Sequence, residues 1–282
     1  VSETEQSNPP AALGVEIAVA LCGLWLLWKY VLSPRAPRAE RLLAEWRIPP
    51  IDFGCYAFFT IAGYLALSAL VGLVLKHAAL SDDAAKVIGA VVQDVGFLLG
   101  MYGFHLFYRK VNRTAPKPLP PVGPAIRSGA VTFFIAMAIV DVTMLAWSYV
   151  IAVLGLPDKN QEFVDIAQNS ASPWMNASLV ATAALLVPIT EELVFRAGLF
   201  RYFRTRIPRW LAIVLTSALF GALHASWVGG TVVGLPSVVP LMVLAVVLCL
   251  AYERTGRIGT VIVAHSLFNL YTFVLIAAGM HT

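Results

Sequence analysis

Charge is what this chain lacks most. Only 13% of its 282 residues are Asp, Glu, Lys or Arg, about half the share of an ordinary soluble domain. That excludes a water-soluble globular protein. The 20 basic and 16 acidic residues leave a net charge of +4, and the basic residues gather in particular loops, so a nucleic-acid surface is excluded as well. Cysteine is scarce: Cys22, Cys55 and Cys249 lie far apart in apolar runs, with no CxxC and no metal-type spacing. They read as buried thiols, neither a disulfide framework nor a ligand set. There is no HExxH, no internal repeat and no second composition that would mark another domain.

What is abundant is hydrophobic residues, at 59%. Apolar runs fall at about 11–32, 53–75, 84–108, 126–154, 176–200, 210–230, 235–252 and 258–279, most of them near the length of about 20 residues that a membrane helix needs. The expected fold is therefore all-α, a polytopic bundle of about eight transmembrane helices. It is read as one membrane domain over 11–282, with four spans over about 11–154 and a chemical core over about 176–279. The polar, acidic segment 1–10 precedes it as a tail; a secretory signal would need a basic start and a shorter apolar core. Loops 33–52, 109–125, 201–209 and 253–257 carry twelve of the fourteen arginines with Lys110 and Lys117, and the alternate loops carry only Lys76, Lys86 and Lys159. The positive-inside rule puts the first set in the cytoplasm and both termini outside it.

Smaller features fit this frame. Leu42, Leu43 and Trp46 fall on one face among charges, so 38–48 is expected to lie as an amphipathic helix on the inner leaflet. Gly96 and Gly100 form a GxxxG face for close packing against another helix. The proline-rich segment 115–125 reads as a stiff connector, 156–174 as an outer segment with a short amphipathic helix, and Gly229, Gly230 and Gly234 as a plain turn. Trp25, Trp28 and Tyr30 end the first span at an interface. Gln93, Asp94 and Asp141 are polar residues inside spans, for which a local hydrogen bond is the simplest reading.

The informative anomaly is in the fifth run. Glu191, Glu192 and Arg196 interrupt it, and each formal charge near a bilayer centre costs about 2.5–3.5 kcal/mol if unpaired. Glu192 and Arg196 are four apart and share a helical face, which suits an ion pair. By elimination Glu191 is the freer carboxylate. Pro188 lies one turn earlier and should bend the helix and free a carbonyl near Ala184. On the sixth run Phe220 and His224 are four apart, and on the eighth His265 and Asn269 are. At about 1.5 Å rise per residue, Glu191, His224, His265 and Asn269 fall at similar depths, about 12–22 Å from the cytoplasmic ends. A carboxylate, two imidazoles and an amide around a wet cavity can hydrolyse an amide bond, with Glu191 taking a proton from water beside His224. His265 and Asn269 would then donate to the developing oxyanion. A polar packing network is the bland alternative, and for Glu192 with Arg196 it is the preferred reading.

Glu191-Glu192-x-x-x-Arg196, Phe220-x-x-x-His224 and His265-x-x-x-Asn269 together resemble the motif set of the CAAX-protease and bacteriocin-processing family. These are intramembrane glutamic endopeptidases that include the Ras-converting enzyme. The resemblance covers about 180–275, with Ala197 at a position where the family often has Gly. It implies an eight-helix fold, Glu191 and His224 activating water, and His265 and Asn269 as an oxyanion hole, with Glu192, Arg196, Phe220 and Pro188 in support. It implies a membrane-associated protein or peptide as substrate and no cofactor. A zinc site built from His224, His265 and a glutamate is the alternative enzyme, and a scaffold, immunity or assembly factor the non-enzymatic one. A proton-coupled transporter would need acids along a path and a repeated half, and the sequence has neither.

Overall fold

In a computed structural model the chain is described over residues 10–34, 41–112, 121–159, 166, 172–228 and 231–278. The expectations for the tail 1–9, for the outer helix within 160–171, for most of the proline-rich connector and for Gly229 and Gly230 lie outside those residues.

Among the described residues eight helices carry the fold: α1 (Pro10–Leu27, continued by a wider π turn, Trp28–Leu32), α2 (Pro50–Leu75), α3 (Asp82–Asn112), α4 (Val122–Leu154), α5 (Pro173–Arg204), α6 (Arg209–Ala222), α7 (Leu235–Thr255) and α8 (Ile258–Ala277). Seven of them are long and apolar enough to cross a membrane, and the chain is a multi-pass, all-α integral membrane protein. Their boundary chemistry is local. α2, α5 and α7 start with Pro in the first turn, where a missing N–H costs nothing. Ser172 Oγ accepts from Met175 N to cap α5. α4 and α7 end at Gly155 (φ 62°) and Gly256 (φ 64°), a left-handed conformation that glycine adopts freely.

The sixth expected span differs. Its helix stops at Ala222 after 14 residues, about 21 Å of rise against the roughly 30 Å of a hydrocarbon core. The chain then turns through Leu223 and His224 into an antiparallel hairpin, β1 (Ser226–Val228) with β2 (Thr231–Val233), in which Trp227 pairs with Val232. β-branched residues flanking a double glycine favour the hairpin over further helix. An apolar run therefore overstated the helix.

The amphipathic helix expected over 38–48 is also absent where it is described. Residues 41–49 are non-helical, a strap tied by backbone and arginine contacts. Leu43 N donates to Glu253 O at 3.2 Å, Arg201 Nε donates to Ala44 O at 3.0 Å, and Arg206 donates to Ile48 O. These partners reward an extended backbone more than the helical periodicity rewards a helix, and Pro49 and Pro50 follow at once.

Packing runs in two groups. α2 lies along α3, and α4 touches α1, α7 and α8. The main core joins α4, α5, α6, α7 and α8 through Phe133, Val140, Phe200, Ile213, Phe220, Leu244, Leu248 and Val261. The GxxxG face of α3 is used within the chain: a Cβ at Gly100 would stand 2.1 Å from Phe59 O, and one at Gly96 2.5 Å from Tyr64 Cα. Only glycine permits that approach of α2 to α3.

Candidate active site

The site is built on α5, which is not a uniform helix. Two π segments, Thr182–Leu186 and Leu193–Phe200, flank the α turn Val187–Glu192. Such wider turns are rare and recur at functional sites. Here Pro188 gives one reason. Its nitrogen has no hydrogen to offer the preceding turn, so the ladder re-registers, with Val187 N–H bonding Thr182 O. The carbonyl that accepts a side chain as a result is Ala183, one residue before the expected position, and Asn269 Nδ2 reaches it at 2.6 Å.

The adjacent glutamates diverge. Glu192 is fully buried and shares Oε1 between Arg196 Nη1 and His265 Nδ1, each at 2.8 Å. The Arg196 guanidinium lies 4.5 Å from the centre of the Phe220 ring, a cation–π contact in a dry setting. Glu191 instead points into a small polar space, its side chain 22% exposed. His224 Nε2 lies 3.8 Å from its Oε1 and His265 Nε2 3.7 Å from its Oε2. Both distances exceed a direct hydrogen bond, and Oε2 accepts none among the described residues.

The histidine tautomers follow from their partners. His224 Nδ1 sits 2.7 Å from Phe220 O; a carbonyl only accepts, so Nδ1 carries the hydrogen and the Nε2 of the neutral ring presents a lone pair toward Glu191. His265 Nδ1 donates to Glu192 in the same way, leaving Nε2 at the cavity. Phe220 organises both rings, with centroids 4.7 Å from His224 and 5.9 Å from His265.

The structure thus brings Glu191, His224 and His265 around one space, with Asn269 one turn along α8. His224 arrives from the turn after α6, not from within a membrane helix as its motif suggested. The local order of that turn comes from His224 N bonding Gly221 O at 3.1 Å and from the ring's own bond to Phe220. Among the described residues, no group of three or more His, Cys, Asp or Glu is arranged to hold a metal ion.

Two contributors had weak signals or none. Tyr56 on α2 donates its hydroxyl to Leu193 O at 3.1 Å, and packs against Gly198, where a Cβ would meet that hydroxyl at 2.8 Å. One tyrosine in an aromatic run carries no pattern that would single it out. Asp94 on α3 is buried, 4% exposed, on a helix that packs against the turn carrying Glu191. Its signal was an acid inside an apolar span.

Residues 173–271 match the family described as type II CAAX prenyl endopeptidase Rce1-like. The chain is 26% identical over 172 residues to "Putative membrane peptidase YdiL" of Bacillus subtilis (strain 168), covering 59% of this chain and 64% of that protein. It is 31% identical over 112 residues to an "Uncharacterized 24.3 kDa protein" of Escherichia coli, covering 39% of this chain and 49% of that one. The chain therefore spans less than two thirds of either relative. No solved structure matches it. Every residue of the polar site, Glu191 to Asn269, falls inside the segment that is similar to the Rce1-like family.

Proposed function

We propose that the chain is an intramembrane endopeptidase that hydrolyses a peptide bond of a membrane-associated protein or peptide, without a metal. One observation carries this reading. Glu191 stands between two imidazole Nε2 atoms at 3.8 and 3.7 Å, while its neighbour Glu192 is held apart by Arg196 and His265. One acid is spent on structure and the other is presented to the cavity.

The geometry supports a balanced reaction. Glu191 takes a proton from water, oriented by the His224 Nε2 lone pair, and the hydroxide adds to the scissile carbonyl carbon. The carbonyl oxygen becomes an oxyanion, with His265 and the second Asn269 N–H as its hydrogen-bond donors. Glu191 then returns its proton to the leaving nitrogen, the C–N bond breaks, and a new C-terminal carboxylic acid, which loses its proton to solvent, and an amine leave. Such proton transfers contribute typically 10²- to 10⁴-fold. The Rce1-like match adds a CAAX-type prenylated C-terminus as a substrate class to test, and the resemblance to the CAAX-protease and bacteriocin-processing family adds leader-peptide processing.

The test compares membrane-protein termini, by mass spectrometry, in cells producing this chain or its Glu191→Gln form. Termini that need Glu191 support the peptidase and name its substrate. Identical profiles, with both proteins folded and equally abundant, overturn it in favour of a membrane scaffold.

A further inference from the structure

Asn269 and Pro188 form one device. In the π turn of α5, Val187 N–H is committed to Thr182 O. The next acceptor along the chain, Ala183 O, would take its hydrogen from residue 188, and Pro188 has none to give. An orphaned carbonyl in a membrane interior costs several kcal/mol in hydrocarbon. Asn269 Nδ2, from α8, fills the position at 2.6 Å. The acceptor also settles which end of the amide faces it, because a carbonyl oxygen accepts and only the NH2 end donates.

This bond has a second anchor. On the same face of α8, one turn earlier, His265 holds Glu192 at 2.8 Å. α8 therefore grips α5 on both sides of Glu191, at the Ala183 carbonyl before it and at the Glu192 carboxylate just after it. The intervening segment is fixed at both ends against the helix that carries His265.

We infer that Asn269 is a positioning residue for Glu191: it replaces the hydrogen bond that Pro188 removes, and so sets where the Val187–Glu192 turn stands in the site. The inference deepens the proposed peptidase reading. One Asn269 hydrogen is held by Ala183 O, and the other remains for substrate. Pro188 and Asn269 are then energetically coupled, and the effect of losing the amide depends on whether residue 188 has an N–H.

Hydrogen exchange on the purified full chain in detergent, read by mass spectrometry, tests this with Asn269→Ala, Pro188→Ala and the double variant. Losing a hydrogen bond of ordinary net strength should speed amide exchange over 187–193 by about two- to tenfold in Asn269→Ala. In the double variant the restored N–H at 188 returns that protection. Unchanged exchange in Asn269→Ala, or a double variant as exposed as the single one, overturns the inference. If Asn269→Ala does not accumulate, recovery of folded protein in the Pro188→Ala background supports it and failure to recover overturns it. In cleavage assays the Pro188→Ala background should offset part of the kcat loss of Asn269→Ala; losses that simply multiply would leave Asn269 as an oxyanion donor alone. Exchange does not depend on activity, so it still decides the pairing if Glu191→Gln shows no loss of cleavage.

Discussion

His265 Nδ1 lies 2.8 Å from Oε1 of Glu192, the oxygen that also receives Arg196 Nη1 at 2.8 Å. That shared oxygen separates two acids that the sequence places side by side. Glu192 belongs to a buried, charge-balanced cluster, and Glu191 keeps its oxygens for the cavity.

Glu192 and Glu191 should respond in opposite ways to substitution. Glu192→Gln leaves Arg196 buried without its carboxylate, a loss of about 3–5 kcal/mol for a broken buried pair. Thermal unfolding in detergent should show a marked fall in Tm for Glu192→Gln and almost none for Glu191→Gln. Equal falls would mean that Glu191 is also structural.

His224→Ala should lower kcat by about 10²- to 10⁴-fold with little change in Tm. The one hydrogen bond of its ring is to the carbonyl of its own turn, so no side-chain hydrogen bond to another helix is lost. A steady-state assay on the substrate found from the new termini, beside an unfolding curve, checks both halves.

Activity should withstand a strong zinc chelator such as 1,10-phenanthroline. Among the described residues no group of three or more His, Cys, Asp or Glu is placed to hold a metal ion, so the site offers zinc no ready set of ligands. Loss of activity that added zinc restores would favour the metal alternative.

Glu253 clasps the end of the core where α5 passes into α6. Its two oxygens each take an arginine Nε at 2.7 Å, Oε1 from Arg204 and Oε2 from Arg209, and its carbonyl takes Leu43 N. Glu253→Gln should free the segment between α5 and α6, seen as faster cutting there by a soluble protease. The strap 41–49 keeps its backbone bond in that variant, so its cutting rate should change less.

Gly100→Leu should separate α2 from α3, because the first side-chain carbon would already stand 2.1 Å from Phe59 O. Overpacking of this kind costs about 1–3 kcal/mol or more. The fall in Tm should exceed that of Gly72→Leu on α2, where a Cβ meets nothing within 4 Å.

Much was legible in the sequence because hydrophobic length and residue spacing are local properties. Apolar runs located seven membrane helices, and four-residue spacing paired Glu192 with Arg196 and predicted a freer Glu191. The proline rule predicted an unpartnered carbonyl before Glu191, though in the π register it falls at Ala183. The GxxxG pair on α3 predicted a close neighbour without naming it.

What the sequence alone determined, then, is the membrane class, the order of the helices and the short-range partners, each encoded by period, length or a missing N–H. The tertiary structure decided which groups meet across the chain: His265 on Glu192, Asn269 on Ala183, Tyr56 on Leu193, α2 against the α3 glycines. It also overruled local pattern twice. The sixth helix yielded to a hairpin after Ala222, and 41–49 became a strap because Glu253, Arg201 and Arg206 offered its backbone partners that periodicity does not record. Those choices rest on contacts between residues far apart in the chain, and no window of sequence contains both sides of them.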